Sequence, residues 1–194
     1  KRFIDSIHMS HVVNTDSRRR AEDNKTREVS FEEGLFVNQA NQDLTNPEFI
    51  ELIKNKEYVF GENLIPVVVS GKEYLNLENK KGLEPGKDGK TLYSYNISTK
   101  DVIDDAVRIA KFEQSNWEKT SIENIKEIMG NCAKIMEENR PRLIAAMMRD
   151  TGKTISEADP EISEAIDFAR FYALSAQNLD KDSAALGVVV VAPP

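Results

Sequence analysis

The sequence predicts an α/β fold in which amphipathic helices cover a sheet with a buried parallel strand. Three observations support this prediction. Apolar side chains recur at three- and four-residue spacing from residue 98 to about residue 179, as they do in amphipathic helices. Residues 188–191 are four consecutive valines, a run typical of a parallel strand buried on both faces. Two segments rich in β-branched and aromatic residues, 64–74 and 91–96, predict additional short strands.

The composition excludes several classes of protein. The 194 residues include 33 acidic and 26 basic side chains, and the net charge of −7 argues against a nucleic-acid-binding protein. Hydrophobic residues make up 40% of the chain, enough for a packed core, but no apolar run approaches the ~20 residues that span a membrane. The single cysteine fits a reducing compartment, so we expect a cytoplasmic protein. Because the chain does not begin with methionine and stops in an apolar run, we expect a piece of a longer polypeptide.

The first half of the chain predicts one helix and several short strands. Residues 1–34 are polar and lack periodicity, which favours a linker or an extended arm. Asn46 followed by Pro47 is typical of a helix N-terminus, and this helix is expected to end near residue 55. Residues 64–74 predict two strands joined by a tight turn. Residues 79–90 are rich in glycine and proline and predict a loop, and residues 91–96 predict a further strand.

The second half predicts four helices. Each is marked by a capping signal, a proline or a terminal glycine. They are expected to run from Ser98 to Trp117, from Thr120 to the break at Asn139 and Pro141, from there to Gly152, and from Pro160 to about Leu179.

Few residues offer catalytic chemistry. We expect Cys132 on the apolar face of its helix, where a thiol is inert, so we predict that it is not catalytic. No set of carboxylates or thiols with ligand spacing accompanies His8 and His11, so no metal site is predicted. The Gly-Lys-Thr at 152–154 lacks the preceding strand and the first glycine of a phosphate-binding loop, and Gly152 is predicted to end a helix.

An acidic row on the last helix leaves two interpretations open. Glu161, Glu164 and Asp167 are typical of the solvated side of an amphipathic helix, but Glu164 shares a side with Phe168 and could face a cleft.

The end of the chain is a second candidate site. In α/β folds, ligands bind at the carboxyl ends of parallel strands. The residues at that position here are Ala192, Pro193 and Pro194, which are equally compatible with a plain turn after a buried strand.

Two segments carry a resemblance to a known family. Residues 151–154 (TGKT) precede residues 161–173 (EISEAIDFARFYA) at the spacing found in aldehyde dehydrogenases that act on 1-pyrroline-5-carboxylate. Residues 36–38 (FVN) are similar to the Phe-x-Asn of the same enzymes. Residues 36–194 thus resemble the N-terminal part of a 1-pyrroline-5-carboxylate dehydrogenase, either free-standing or within a bifunctional proline utilization A protein.

The resemblance implies a function. Such enzymes oxidise L-glutamate γ-semialdehyde to L-glutamate with NAD, through a cysteine nucleophile and a glutamate base. It places no catalytic residue in this chain, assigns Glu164 to the α-amino group of the substrate, and puts Ala192, Pro193 and Pro194 beside the cofactor.

The resemblance also implies how the chain is organised. Residues 35–97 would supply a helix and edge strands of the oligomerisation type, and residues 98–194 the helical half and first core strand of a Rossmann-like NAD-binding domain. The implied partners are the aldehyde, the remainder of the dehydrogenase chain and further copies in a homo-oligomer. Two alternatives stay open: another NAD(P)-dependent aldehyde dehydrogenase, and a non-catalytic helical interaction module.

Overall fold

The computed structural model describes residues 36–54, 64–178 and 186–192. In these ranges the chain forms five short strands and five α-helices, of which the last four are consecutive. The helices are α1 (Pro47–Lys54), α2 (Lys100–Trp117), α3 (Ile122–Glu138), α4 (Arg140–Thr151) and α5 (Ile155–Ser175), with a 3-10 turn at Ala176–Asn178. The strands are β1 (Leu64–Ile65), β2 (Val67–Val69), β3 (Lys72–Tyr74), β4 (Asn79–Leu83) and β5 (Thr91–Asn96).

The core lies where α3 and α4 pack against α5, with α1 against α4. Its apolar side chains come from all four helices, and several are alanines, whose small size lets the helix axes approach closely. The buried members are Phe49, Ile53, Ala133, Ile144, Ala145, Ala158, Ile162, Ile166 and Ala169. The core therefore holds α5 along its whole apolar side.

The strands form one mixed sheet and one hairpin. The sheet has the order β1-β5-β4, with β1 parallel and β4 antiparallel to β5. The hairpin joins β2 to β3 through Ser70 and Gly71, whose φ angles of 50° and 76° suit a two-residue hairpin turn. These findings confirm the predicted tight turn, the strand at 91–96 and an α/β fold.

The predicted loop at 79–90 is partly wrong, because residues 79–83 form β4. Gly82 pairs with Tyr93 across the sheet, and a Cβ at Gly82 would lie 2.3 Å from the Tyr93 ring. The glycine that suggested a loop is thus a strand residue that makes room for an aromatic ring. The Tyr93 hydroxyl donates a hydrogen bond of 2.9 Å to Asp150, which ties the sheet to α4, and burial raises the pKa of Tyr93.

Three helix starts differ from the predicted ones by one to five residues. Thr99, not Ser98, precedes α2, and Ser121, not Thr120, caps α3 by accepting a hydrogen bond from the Asn124 backbone. The last helix starts well before Pro160, at a reciprocal capping box formed by Thr154 and Glu157. Hydrogen bonds from the Thr154 backbone and side chain lower the pKa of Glu157.

Residues 188–191 contradict the prediction of a buried strand. They form no regular secondary structure, and Val189, Val190 and Val191 are each about 80% exposed. A strand needs a neighbour for its backbone N–H and C=O groups. No described strand pairs with this segment, so its apolar side chains are left in solvent.

Candidate functional site

Residues 36–42, which we call the strap, lie along one side of α5 and run opposite to it. The backbone N–H of Gln42 donates to the Asp159 carboxylate over 2.8 Å. Further along, the Ser163 hydroxyl donates to the carbonyl of Ala40 over 3.3 Å. The strap therefore follows helix positions spaced by one turn.

Asp167 is the next position on that side and makes two hydrogen bonds with the strap. Its carboxylate accepts a hydrogen bond of 2.6 Å from the backbone N–H of Gln39 and one of 2.8 Å from the Asn38 side-chain amide. Asp167 is buried, at 8% exposure. Its assignment to the solvated side of the helix was wrong, because the strap covers that position.

A buried arginine holds two of the α5 side chains that bond to the strap. Arg140, the first residue of α4, donates to Asp159 over 2.6 Å and to the Ser163 hydroxyl over 2.7 Å. All three residues are at most 2% exposed. Asp159 thus accepts from both Arg140 and the strap, which joins α4, α5 and the strap in one polar network.

The network continues towards the end of α5. Arg170 donates to the side-chain oxygen of Gln39 over 2.5 Å and to Glu137 of α3 over 3.2 Å. The Gln39 amide also donates to Glu137 over 3.2 Å. The strap therefore contacts two helices, α5 and α3, through polar groups.

A stripe of exposed side chains lies next to the strap on α5. Its members are Glu164, Phe168, Phe171 and Tyr172, all exposed. The Phe168 and Tyr172 rings are 5.9 Å apart and those of Phe171 and Tyr172 5.5 Å. Phe36 of the strap packs edge-on against Phe171 at 5.4 Å. Strap and stripe are thus in direct contact.

Glu164 has no hydrogen-bond or ion-pair partner among the described residues. It lies one turn before Phe168, on the side of α5 away from the buried Ile162 and Ala169. A carboxylate beside an aromatic ring can bind an ammonium group through a charge-assisted hydrogen bond and through the ring face. The role of Glu164 stays a prediction.

The turn before α5 connects the end of α4 to the capping box of α5. Gly152 ends α4 in the left-handed conformation, with φ of 74°, as predicted for a helix C-terminus. Lys153, which would contact phosphate in a nucleotide-binding loop, bonds instead to Glu161 over 2.6 Å. The predicted helix end at Gly152 is confirmed.

The segment expected beside the cofactor offers little to hold it. Ala192 is exposed, and Pro193 and Pro194 lie outside the described residues. Residues 186–192 carry only apolar side chains and one glycine, so within this range only backbone groups could form hydrogen bonds to a dinucleotide. The described part of the segment does not by itself form a cofactor site.

Cys132 is not where the sequence predicted. It is exposed, and its neighbour Ala133 occupies the core at 1% exposure.

His8 and His11 lie outside the described residues, within which no group of three or more potential metal ligands occurs. Every helix in the described ranges is too short or too polar to cross a lipid bilayer.

The helices packed beside a mixed sheet define a partial α/β domain. A model of the aldehyde dehydrogenase family matches residues 76–191, more than half of the chain. The chain therefore belongs to the aldehyde dehydrogenase family.

Curated relatives of this chain carry the name 1-pyrroline-5-carboxylate dehydrogenase. The 1-pyrroline-5-carboxylate dehydrogenase of Staphylococcus aureus (strain MW2) is 25% identical over 148 residues, covering 74% of this chain and 29% of that protein. The enzyme of the same name from Geobacillus sp. (strain WCH70) is 26% identical over 125 residues, covering 64% and 24%. The chain thus spans less than a third of the length of these relatives.

Solved structures show the same fold. Proline utilization A from Bdellovibrio bacteriovorus has a TM-score of 0.70 at 24% identity, covering 76% of this chain and 16% of that one. The 1-pyrroline-5-carboxylate dehydrogenase from Thermus with bound NAD has a TM-score of 0.69 at 22% identity, covering 82% and 31%.

Proposed function

We propose that this chain is the N-terminal part of an NAD-dependent dehydrogenase that oxidises L-glutamate γ-semialdehyde to L-glutamate in proline catabolism. Membership of the aldehyde dehydrogenase family supports the reaction class. The relatives named 1-pyrroline-5-carboxylate dehydrogenase support the substrate, since this cyclic imine takes up water and opens to the semialdehyde.

The observation that carries the proposal is the exposed carboxylate of Glu164 beside the Phe168 ring, without a partner among the described residues. The substrate differs from a simple aldehyde by an α-ammonium and an α-carboxylate. An ammonium that leaves water for a protein cleft needs a negative partner, because an unpaired charge there is costly. Glu164 supplies that partner on a helix that the core and the strap hold in place.

NAD is the proposed cofactor, and it would accept the hydride from the aldehyde carbon. A solved relative from Thermus contains NAD, which supports this choice. We propose that Ala192, Pro193 and Pro194 lie beside it, and that other parts of the protein supply its remaining contacts. The nucleophilic thiol, oxyanion donor and base are likewise proposed to lie outside this chain.

The division of the chain is part of the proposal. Residues 1–34 would form a linker or arm, and residues 35–97 would supply oligomer contacts as well as the strap. Residues 98–194 would supply the helical half and first core strand of the NAD-binding domain. Residues 188–191 are exposed and unpaired in the described structure. In such a domain, further strands would pair with their backbone and helices would cover the four valine side chains.

The test is NADH formation, followed by absorbance, in the whole protein and in the 194-residue chain. The whole protein is expected to reduce NAD with glutamate semialdehyde and, more weakly, with a simple aliphatic aldehyde. The 194-residue chain is expected to show no aldehyde-dependent NADH. A whole protein that prefers the simple aldehyde would contradict the proposed substrate, and turnover by the short chain would contradict the proposed division of labour.

A further inference from the structure

The strap and the exposed stripe occupy neighbouring sides of α5. Ser163 and Asp167 face the strap, and the residues that follow each of them, Glu164 and Phe168, belong to the stripe. Successive helical residues are about 100° apart around the axis. Any group that fixes the roll of α5 at position 167 therefore also fixes the direction of the Glu164 carboxylate.

The apolar side of α5 restrains that roll by packing but supplies no directional hydrogen bond. Its buried contacts include Ala158, Ile162, Ile166 and Ala169, and apolar contacts have little directional preference. Side chains reach about 5–6 Å from a helix axis, so a roll of about 10° moves the end of a side chain by about 1 Å. A displacement of that size is enough to weaken the alignment of a bound substrate.

We propose that Asp167 is a positioning residue: held by the strap through Asn38 and Gln39, it fixes the roll of α5 so that Glu164 and Phe168 meet the substrate ammonium. Both carboxylate oxygens of Asp167 are used, one by the Gln39 backbone and one by the Asn38 amide. Two directional hydrogen bonds to one buried carboxylate define an angle as well as a distance. The inference rests on the proposed function, because it assigns a task to the same substrate site.

The strap also reaches the stripe through a row of rings. Phe36 contacts Phe171, Phe171 contacts Tyr172, and Tyr172 contacts Phe168. Movement of the strap would therefore reach Phe168 by direct packing. The hydrogen bonds at Asp167 and the aromatic row thus both link the strap to Glu164 and Phe168, two of the four members of the stripe.

The test exchanges the two partners. Asn38→Asp in the whole protein places a second carboxylate against Asp167 and removes the donor. In Asn38→Asp with Asp167→Asn, the new amide donates to the new carboxylate, and its oxygen still accepts from the Gln39 backbone. Asn76→Asp is the matched control, since Asn76 is exposed between β3 and β4 and gains the same charge.

The expected result is a change in substrate preference. Asn38→Asp should lower kcat/KM for glutamate semialdehyde about tenfold, mainly by raising KM. The kcat/KM for a simple aliphatic aldehyde should change by less than about twofold. The double variant should return to within about threefold of the wild-type value, and Asn76→Asp should match the wild type. If Asn38→Asp does not fold in a melting experiment, Asn38→Ala replaces it with the same expected change in preference.

Three outcomes would overturn the inference alone. They are equal losses for both aldehydes, no loss for either, and a selective loss that the exchanged pair does not restore. A wild-type protein without preference for glutamate semialdehyde would instead overturn the proposed function and this inference with it. The wild-type comparison thus separates the two failures.

Discussion

The guanidinium of Arg140 donates a hydrogen bond of 2.6 Å to the Asp159 carboxylate, and both side chains are almost fully buried. Asp159 also accepts from the backbone of Gln42, and Arg140 also donates to Ser163. A buried ion pair of this kind contributes little net stability, but removing one partner leaves the other charge without compensation. The pair therefore joins the strap to α4 and α5, and replacing either charged residue alone should destabilise the protein.

We expect Arg140→Met to lower the free energy of unfolding by about 3–5 kcal/mol, because Asp159 would remain charged and buried. Lys134→Met is the control: Lys134 is exposed and 3.8 Å from Glu138, so a change within about 0.5 kcal/mol is expected. Chemical denaturation of the purified variants measures both. Equal effects from the two substitutions would show that the Arg140 pair is not buried as described.

Two glycines in helical segments should respond in opposite directions to alanine. Gly152 has φ of 74°, a conformation that costs an L-residue about 1–2 kcal/mol, so Gly152→Ala should destabilise the protein. Gly130 lies inside α3, and a methyl group added there would have no neighbour within 4 Å, so Gly130→Ala should stabilise by about 0.5–1 kcal/mol. Thermal melting compares them directly. Shifts of the same sign would contradict the assigned end of α4.

The stability contributed by Glu84 should depend on pH. A hydrogen bond from Lys87, over 3.0 Å, lowers the pKa of Glu84; burial opposes this effect, and Arg149 adds to the lowering. Because the folded pKa lies below the ordinary value of 4.5, the stabilisation is present above pH 4.5 and is lost as the pH falls through the folded pKa.

Glu84→Gln should therefore lower Tm near pH 7, and the difference from the wild type should shrink below pH 4.5. Glu73→Gln, on the exposed side of the β2–β3 hairpin, is the control and should follow the wild type throughout. A Glu84→Gln difference that stays constant down to about pH 3 would mean that packing, not charge, accounts for it.

Cys132 should behave as a surface thiol. It is exposed in the described structure, so a thiol reagent should label the native 194-residue chain about as fast as the urea-unfolded chain. Cys132→Ser should change the free energy of unfolding by less than about 0.5 kcal/mol. Labelling that requires unfolding would restore the interpretation of Cys132 as a core residue.

The sequence predicted the features that depend on a few neighbouring residues. Asn46 and Pro47 start α1, the Ser-Gly turn forms the β2–β3 hairpin, Trp117 ends α2 and Gly152 ends α4. Each of these signals is set by backbone geometry within one turn of chain. Local pattern is sufficient for such features.

Features that depend on distant partners could not be predicted in this way. Asp167 is buried because residues 38 and 39 cover it, across 128 or 129 positions of sequence. Nothing local indicates that Arg140 pairs with Asp159, since the two residues are 19 positions apart. The error at Cys132 came from a rotation of one residue, since Ala133 and not Cys132 lies in the core.

The substrate preference of the Glu164→Gln variant tests whether Glu164 binds the ammonium group of the substrate. The variant keeps the size of the side chain and loses its charge, so a charge-assisted hydrogen bond of ~1.5–3 kcal/mol is removed, roughly ten- to a hundredfold in kcat/KM. Glu161→Gln, one turn earlier on the same helix, is the matched control.

In the whole protein, kcat/KM for glutamate semialdehyde should fall about ten- to a hundredfold in Glu164→Gln while a simple aliphatic aldehyde is used nearly as before. Glu161→Gln should keep the wild-type preference for glutamate semialdehyde. An equal loss for both aldehydes, or no loss for either, would contradict the account, because Glu164 would then not bind the substrate ammonium.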